Sequence, residues 1–262
     1  MLNFENLYSY SPMAYDMVSH VLTLGYAVML AALFYFILTM KTVAPQYRTS
    51  SVLSVVVMVS AFLLLYMQQN NWTNAFAYNA ATGLYERIVN ADNFTNCYRY
   101  LNWLIDVPML LFQILFVVTL TGKRRSSLRN QFFISGPLMI LTGYIGQFYE
   151  TSNTVLFLIW GTISTLFFIH VLYLIYHIIA DAKKSLPAPA ARVMGGIWWL
   201  FLFAWMLYPG AYLMPIYLTG EIGVVGRQIT YTIADISSKV IYGVLLTVVA
   251  GIRSREEGYE VK

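Results

Sequence analysis

Four polar residues recur at helical spacing within one apolar segment of the sequence. The row consists of Arg99, Asn102, Asp106 and Gln113, and the residues that follow through Leu120 are almost entirely apolar. Because the last three lie three, seven and fourteen residues after the first, one face of a helix would carry all four. A polar row about 21 Å long is costly in lipid. We therefore expect it to face the interior of a membrane protein.

The last apolar segment carries a carboxylate and a lysine one helical turn apart. These are Asp235 and Lys239, and Ser238 adjoins the lysine. Burial disfavours the charged form of an amine, so this lysine needs either carboxylate partners or covalent use of its nitrogen. A lysine amine forms Schiff bases with aldehydes. A protonated Schiff base would need Asp106 and Asp235 as counterions.

The composition is that of an integral membrane protein. Of the 262 residues, 59% are hydrophobic and only 11% are charged, whereas soluble domains contain about 25% charged residues. The net charge of +4 is better explained by loop charges that fix topology than by nucleic-acid binding. The single cysteine, Cys97, excludes an internal disulfide and a thiolate metal cage.

Apolar runs separated by short polar breaks predict an all-α membrane protein, a seven-transmembrane-helix bundle forming one domain over residues 1–262. We expect residues 1–11 to cap the outer end and a small hairpin to turn at Thr82-Gly83. The predicted helices cover about 13–40, 50–70, 97–121, 128–149, 153–182, 191–217 and 227–253.

The distribution of basic residues predicts the orientation in the membrane. With the amino terminus outside, most of the 16 Lys and Arg residues fall on the inner side. Because inner loops carry an excess of Lys and Arg, we expect an outside amino terminus and a cytoplasmic carboxyl terminus.

Two segments together resemble the microbial (type 1) rhodopsins. These are the stretch from Arg99 to Gln113 and the stretch Asp235-Ile-Ser-Ser-Lys239. The triplet Asn102, Asp106 and Gln113 matches the NDQ signature of the light-driven sodium-pump rhodopsins. The resemblance runs over nearly the whole chain, including the sequences around His20, Glu150 and Pro209.

The resemblance implies all-trans retinal as cofactor, joined as a Schiff base to Lys239 on the seventh helix. It also implies a retinal site with flat apolar walls. Its members would be Trp103, Val107, Leu110, Gly143, Phe168, Trp205, Tyr208, Pro209, Tyr212 and Ser238.

The resemblance further implies an outward sodium pump that moves protons when sodium is scarce. Asp106 would accept the Schiff-base proton, and Asn102 and Asp235 would hold sodium transiently. Gln113 cannot titrate, so it cannot return a proton as a carboxylic acid would. Two alternatives remain open: an outward proton pump only, and a photosensory rhodopsin, for which we expect no signalling domain after Arg253. We expect no enzyme activity.

The ion path implied by the resemblance leads from serines on the inner side past Arg99 to an outer ionic cluster. Many sodium pumps have asparagine and glycine where this chain has Ser51 and Thr247, so the inner path is expected to differ in width or selectivity. We also expect a homo-oligomer, by resemblance a pentamer with His20 at the subunit contact, in the lipid bilayer of a bacterial cell membrane. The path residues are Ser51, Ser54, Ser60, Thr247, Glu5, Glu150 and Arg227.

Overall fold

Seven long helices dominate the computed structural model of the chain, which describes residues 3–260. They are α1 Pro12–Thr39, α2 Arg48–Ala75, α3 Cys97–Gln113, α4 Gly122–Gln147, α5 Thr154–Ser185, α6 Ala188–Tyr212 and α7 Gly220–Glu256. Short helical turns cover Phe4–Leu7, Met40–Thr42, Pro45–Tyr47, Ile114–Phe116 and Met214–Tyr217.

The helices close into a ring. Each helix packs on the next along the chain, and α7 packs on both α6 and α1. Large apolar side chains such as Leu38 and Trp199 point outward and are 78% and 67% exposed, as lipid contact requires. Five of the seven helices are long and apolar enough to cross a membrane. The ring of seven packed helices confirms the predicted seven-helix bundle.

The last helix changes its hydrogen-bonding pattern in the middle. It is α-helical over Gly220–Asp235, a π-helix over Ile236–Ile241 and α-helical again over Tyr242–Glu256. The π-helical turn contains Lys239. Such turns are frequent at functional sites, and the sequence pattern gave no indication of this one.

The predicted end of α3 at residue 121 is wrong. The α-helix ends at Gln113, and the short turn Ile114–Phe116 follows it. A contact from α7 holds the chain beyond this point, because Arg253 donates to the carbonyl of Val117 at 2.9 Å and to the hydroxyl of Thr119 at 3.1 Å. A helix that continued here would need that carbonyl for its own hydrogen bonds.

Other helix boundaries also differ from prediction. Helix α2 runs five residues further than expected. Trp72 in its polar last turns is fully buried and packs against the rings of Tyr10 and Phe76. Helix α4 begins at Gly122, with Thr121 as its N-cap, since its basic first turns can extend into water.

Helix α6 ends at Tyr212, and Pro215, which has no N–H to donate, belongs to a separate turn. Helix α7 begins at Gly220, with Glu221 in its first turn.

The predicted hairpin and cap lie together at one end of the bundle, the end predicted to face outward. Strands β1 Phe76–Asn79 and β2 Leu84–Arg87 pair antiparallel around Gly83, whose φ of +72° suits a tight turn. Tyr10 pairs with Tyr85 of β2 through two backbone hydrogen bonds, of 2.9 and 2.8 Å. Within residues 3–260, the cap is therefore hydrogen-bonded to the hairpin. Met1 and Leu2 of the predicted cap lie outside them.

Candidate cofactor and ion site

The polar row of α3 is buried as the sequence predicted. Arg99, Asn102, Asp106 and Gln113 have no exposed side-chain surface. The amide of Asn102 donates to Asp106 at 2.6 Å and to the hydroxyl of Ser60 at 3.1 Å. The amide of Gln113 donates to the hydroxyl of Ser54 at 2.9 Å. The structure therefore joins the row to two of the predicted path serines on α2.

Three oxygen atoms of this row have no hydrogen-bond partner within residues 3–260. They are Asn102 Oδ1, Asp106 Oδ1 and Gln113 Oε1, and all three are buried. A buried acceptor without a donor costs about 1–3 kcal/mol. Such atoms are normally satisfied by water or an ion. The row therefore presents oxygen atoms suited to a hard cation.

Asp235 is the centre of the polar network beside Lys239. Its carboxylate accepts hydrogen bonds from Arg99 Nη1 at 2.5 Å, from Trp103 Nε1 at 2.9 Å and from the Tyr208 hydroxyl at 2.9 Å. It also accepts one from the Lys239 amine. The amine therefore contacts Asp235 and not Asp106 in this structure, because the aspartate lies one turn away on the same helix.

Tyr208 connects this network to Ser238. The two hydroxyls are 2.9 Å apart. Because the single proton of the Tyr208 hydroxyl is directed to Asp235, the Ser238 hydroxyl is the donor to Tyr208. This fixes the orientation of three predicted site residues around Lys239.

An aromatic cavity lies beside the amine of Lys239. All eleven residues predicted for the cofactor site line it. The prediction missed seven further lining residues, namely Tyr100, Met139, Ile140, Gly161, Ser164, Thr165 and Tyr231.

Glycines on two helices make room for the ring of Tyr212 at the cavity wall. A Cβ on Gly161 would lie 2.8 Å from this ring, and one on Gly146 would lie 2.0 Å from its hydroxyl oxygen. The ring stacks on Phe157 with centroids 4.3 Å apart. The wall is therefore flat and apolar, with a primary amine beside it. These features fit a conjugated apolar aldehyde.

The predicted outer cluster forms beneath the cap. Arg227 Nη2 donates to Glu150 at 2.7 Å, and its Nη1 donates to Glu5 at 3.2 Å. The backbone N–H of Phe4 also donates to Glu150, at 2.8 Å. Burial raises the pKa of Glu150 above its ordinary value, against the lowering effect of the Arg227 guanidinium. The cluster therefore holds the cap on the bundle.

At the end of the bundle predicted to face inward, the two departures from the sodium-pump pattern lie on neighbouring helices. Ser51 is buried on α2. Thr247 is half-buried on α7, and its hydroxyl donates to the carbonyl of Gly243 in the same helix at 3.0 Å. The threonine therefore presents mainly its methyl group to its surroundings.

The sequence profile of the bacteriorhodopsin-like proteins matches residues 16–252. The chain belongs to this family. The green-light absorbing proteorhodopsin of Gamma-proteobacterium EBAC31A08 is 23% identical over 229 residues, which cover 86% of this chain and 82% of the relative. The crystal structure of xanthorhodopsin, a light-driven ion pump with dual chromophore, superposes with a TM-score of 0.88 at 30% identity, covering 96% of this chain and 99% of that one. The structure of thermophilic rhodopsin gives a TM-score of 0.89 at 29% identity, covering 99% and 100%.

The family establishes the cofactor and the class of activity. Microbial rhodopsins bind retinal through a Schiff base to a lysine, and they are membrane-embedded light-driven ion pumps and not enzymes. The predicted retinal cofactor is therefore confirmed. Lys239 is the lysine that lines the cavity.

Two of the partners of Arg99 on α7 were not predicted from the sequence. Its Nη2 donates to the hydroxyl of Thr232 at 2.9 Å and faces the Gln228 carbonyl oxygen at 3.5 Å. These residues precede Asp235 by three and seven positions. The helical spacing that identified the row on α3 could have identified them too.

Proposed function

We propose that the chain is a light-driven outward sodium pump that moves protons when sodium is scarce. The observation that carries this proposal is the set of unpartnered buried oxygens on Asn102, Asp106 and Gln113. The three residues span about 16 Å along one face of α3. They offer a passing Na⁺ the oxygen ligands that hard cations prefer.

The amide of Gln113 supports sodium over protons as the transported ion. An amide cannot give up a proton at physiological pH, so it cannot serve as a proton donor from the inner side. It can still offer its free carbonyl oxygen to a cation while its amide stays bonded to Ser54. The Ser54 hydroxyl adds a second oxygen beside it, between α2 and α3.

The roles of the central residues follow from their contacts. Retinal would supply light absorption, and the Lys239 nitrogen, in its Schiff base with retinal, would carry a proton that it can release. Asp106 receives that proton, because its Oδ1 has no other partner. Asp235 is already engaged by Arg99, Trp103 and Tyr208, so it stays ionised and serves as a counterion. Its negative charge would also attract a sodium ion bound at Asn102.

Arg99 separates the sodium-binding residues from the outer cluster. A buried guanidinium on the route repels a cation unless it moves or is compensated. With Asp106 neutral, sodium would be held by Asn102 and Asp235. The return of the proton from Asp106 would then expel the ion past Arg99, Glu5, Glu150 and Arg227.

The second candidate is an outward proton pump only. The half-buried Thr247 favours it, because the threonine adds a methyl group at the inner end of α7. A narrower inner path would hinder a hydrated ion more than a proton. The two candidates share the roles of Lys239 and Asp106 and differ in whether sodium passes.

We further propose a single seven-helix domain with the amino terminus outside, assembled as a pentamer in a bacterial cell membrane. His20 supports assembly, because it is an exposed polar side chain on the membrane-spanning helix α1. Size analysis in nanodiscs tests the oligomer, and His20→Leu is expected to weaken it. A parent protein that stays monomeric at high density would contradict the assembly.

Export of radioactive sodium from preloaded, illuminated cells tests the proposed function. We expect light-dependent loss of sodium from cells with the parent protein and none with Asp106→Asn. The matched control is Asp16→Asn, which changes an exposed aspartate on α1 and should export normally. Sodium retention by illuminated parent cells that contain the pigment would contradict sodium pumping.

A further inference from the structure

The ion pair at the cofactor and the ionic cluster under the cap are connected by one side chain. Gln228 lies on α7 and is fully buried. Its carbonyl oxygen faces Arg99 Nη2 at 3.5 Å, and its amide nitrogen donates to Glu5 at 3.0 Å and to Asn96 at 3.1 Å. A continuous chain of buried polar contacts therefore runs from Asp235 to the cap residue Glu5.

The amide of Gln228 satisfies both ends of this connection. A guanidinium has donors and no acceptor, whereas an ionised carboxylate has acceptors and no donor. The side chain between Arg99 and Glu5 must therefore accept on one side and donate on the other. This requirement fixes the orientation of the Gln228 amide.

The same arrangement leaves Arg99 loosely held on its outer side. Its contact with Gln228 is at the limit of a hydrogen bond, whereas its bonds to Asp235 and Thr232 are 2.5 and 2.9 Å long. Arg99 Nε has no partner among residues 3–260. A small displacement of Gln228 would therefore change how strongly Arg99 is drawn outward from Asp235.

At the cap end of this series of polar contacts, Glu5 is held by several hydrogen bonds. Glu5 Oε1 accepts from Asn96 at 2.8 Å, from Gln228 at 3.0 Å and from Arg227 at 3.2 Å. Arg227 in turn is paired with Glu150. A change in the charge of Glu5 must therefore alter the position or the orientation of the Gln228 amide.

We infer that Gln228 is a positioning residue that sets the place of Arg99 and transmits the state of the cap to the cofactor site. The connection acts in both directions, because coupling between two sites is reciprocal. It makes the short segment over the outer mouth part of the machinery that tunes the chromophore. The inference depends on retinal at Lys239 and does not depend on which ion is pumped.

A double-mutant cycle tests this inference by the colour of the protein. The readout is the pH midpoint of the colour change on acidification, when a counterion carboxylate takes up a proton. Glu5→Gln removes a negative charge, so it should lower this midpoint, by roughly half a pH unit. If Gln228 transmits the effect, the shift caused by Glu5→Gln should fall to less than half in a Gln228→Leu background.

Two further variants keep the result interpretable. Glu221→Gln removes the same charge from α7, where Glu221 holds the cap at Ser11 without contacting Gln228, and its shift should be the same in both backgrounds. Gln228→Glu preserves size, so it replaces Gln228→Leu if the latter does not fold, and it should also reduce the shift caused by Glu5→Gln.

Equal shifts from Glu5→Gln with and without Gln228 would show that charge acts directly through space, and they would overturn the inference. A parent protein without colour would instead contradict the assignment of retinal to Lys239. The two failures are therefore distinguishable in one set of spectra.

Discussion

Arg99 of α3 and Asp235 of α7 form a 2.5 Å ion pair in which neither side chain is exposed. The pair positions Asp235 beside Lys239, where Trp103 and Tyr208 complete its hydrogen bonds. Because Asp235 is fully engaged, Asp106, with one unpartnered oxygen, is the carboxylate best placed to accept a proton. This division between two buried carboxylates underlies the predictions that follow.

Replacement of Lys239 by alanine should give a folded protein without visible colour when retinal is supplied. Lys239 is the lysine that lines the cavity, and without its amine no Schiff base can form. Absorption spectra of the purified protein check this result. Lys123→Ala, which changes an exposed lysine on α4, should keep full colour. A normal visible band in Lys239→Ala would disprove the assignment.

Replacement of Asp106 by asparagine should shift the visible band to longer wavelength and abolish transport of both ions. Loss of the carboxylate weakens the preference for positive charge at the Schiff base, and it removes the proton acceptor. Spectra and light-driven transport by the same preparation check both effects. Transport at the parent rate in this variant would contradict the proposed role.

Stability should depend on pH through Glu150. Burial raises its folded-state pKa, so the folded chain keeps this proton to a higher pH than the unfolded chain does. The resulting contribution to stability is complete at pH values below the pKa of Glu150 in the unfolded state. It is lost as the pH rises through the pKa of Glu150 in the folded state. We expect the temperature of colour loss to fall with rising pH over this range, and to fall less in Glu150→Gln.

Glu86 gives a comparison of opposite sign for this measurement. Hydrogen bonds from Asn79 and Thr82 lower the pKa of its exposed carboxyl. The contribution of Glu86 to stability is therefore lost as the pH falls through its folded-state pKa. Glu86→Gln should therefore not remove the decrease that we assign to Glu150. The same pH profile in the parent and in Glu150→Gln would rule out this assignment.

Thr247→Gly should widen the inner mouth and admit some potassium, whereas the parent should accept sodium and lithium and reject larger cations. The colour should not change, because Thr247 lies two turns from Lys239. Discrimination of this kind amounts to about 1–3 kcal/mol, so a graded change is expected. Light-driven transport of Na⁺, Li⁺ and K⁺ under identical conditions checks it.

The control for this variant is Val248→Gly, which weakens the same helix at an exposed position. It should leave the ion profile unchanged. Identical profiles for the parent and Thr247→Gly would mean that selectivity is set deeper, at Asn102, Asp106 and Asp235.

Helical periodicity was sufficient to predict the bundle and the buried row on α3, because lipid and core impose a regular spacing on apolar and polar residues. It failed where a single distant contact decides the local structure. Arg253 holds the chain at Val117 after α3 has ended, and the π-helical turn at Lys239 has no signature in residue spacing. The contact of Arg253 with Val117 joins segments that are 136 residues apart in the sequence.

Some parts of the candidate site were predicted from the sequence, and other parts were not. Resemblance supplied the eleven cofactor-site residues that line the cavity. The connection through Gln228 was missed, although its spacing from Asp235 was visible. Its partner Glu5 comes from a segment outside the bundle, and no spacing rule relates that segment to α7.

Light-induced pH changes in cells, in sodium and in potassium medium with a protonophore, test the proposed sodium export most directly. Outward movement of sodium makes the cell interior negative and draws protons inward, so a protonophore should increase the alkalinisation of the medium in sodium. In potassium medium the cells should acidify the medium, and the protonophore should abolish that signal. Acidification in both media, abolished by the protonophore in each, would contradict sodium pumping and identify the chain as a proton pump only.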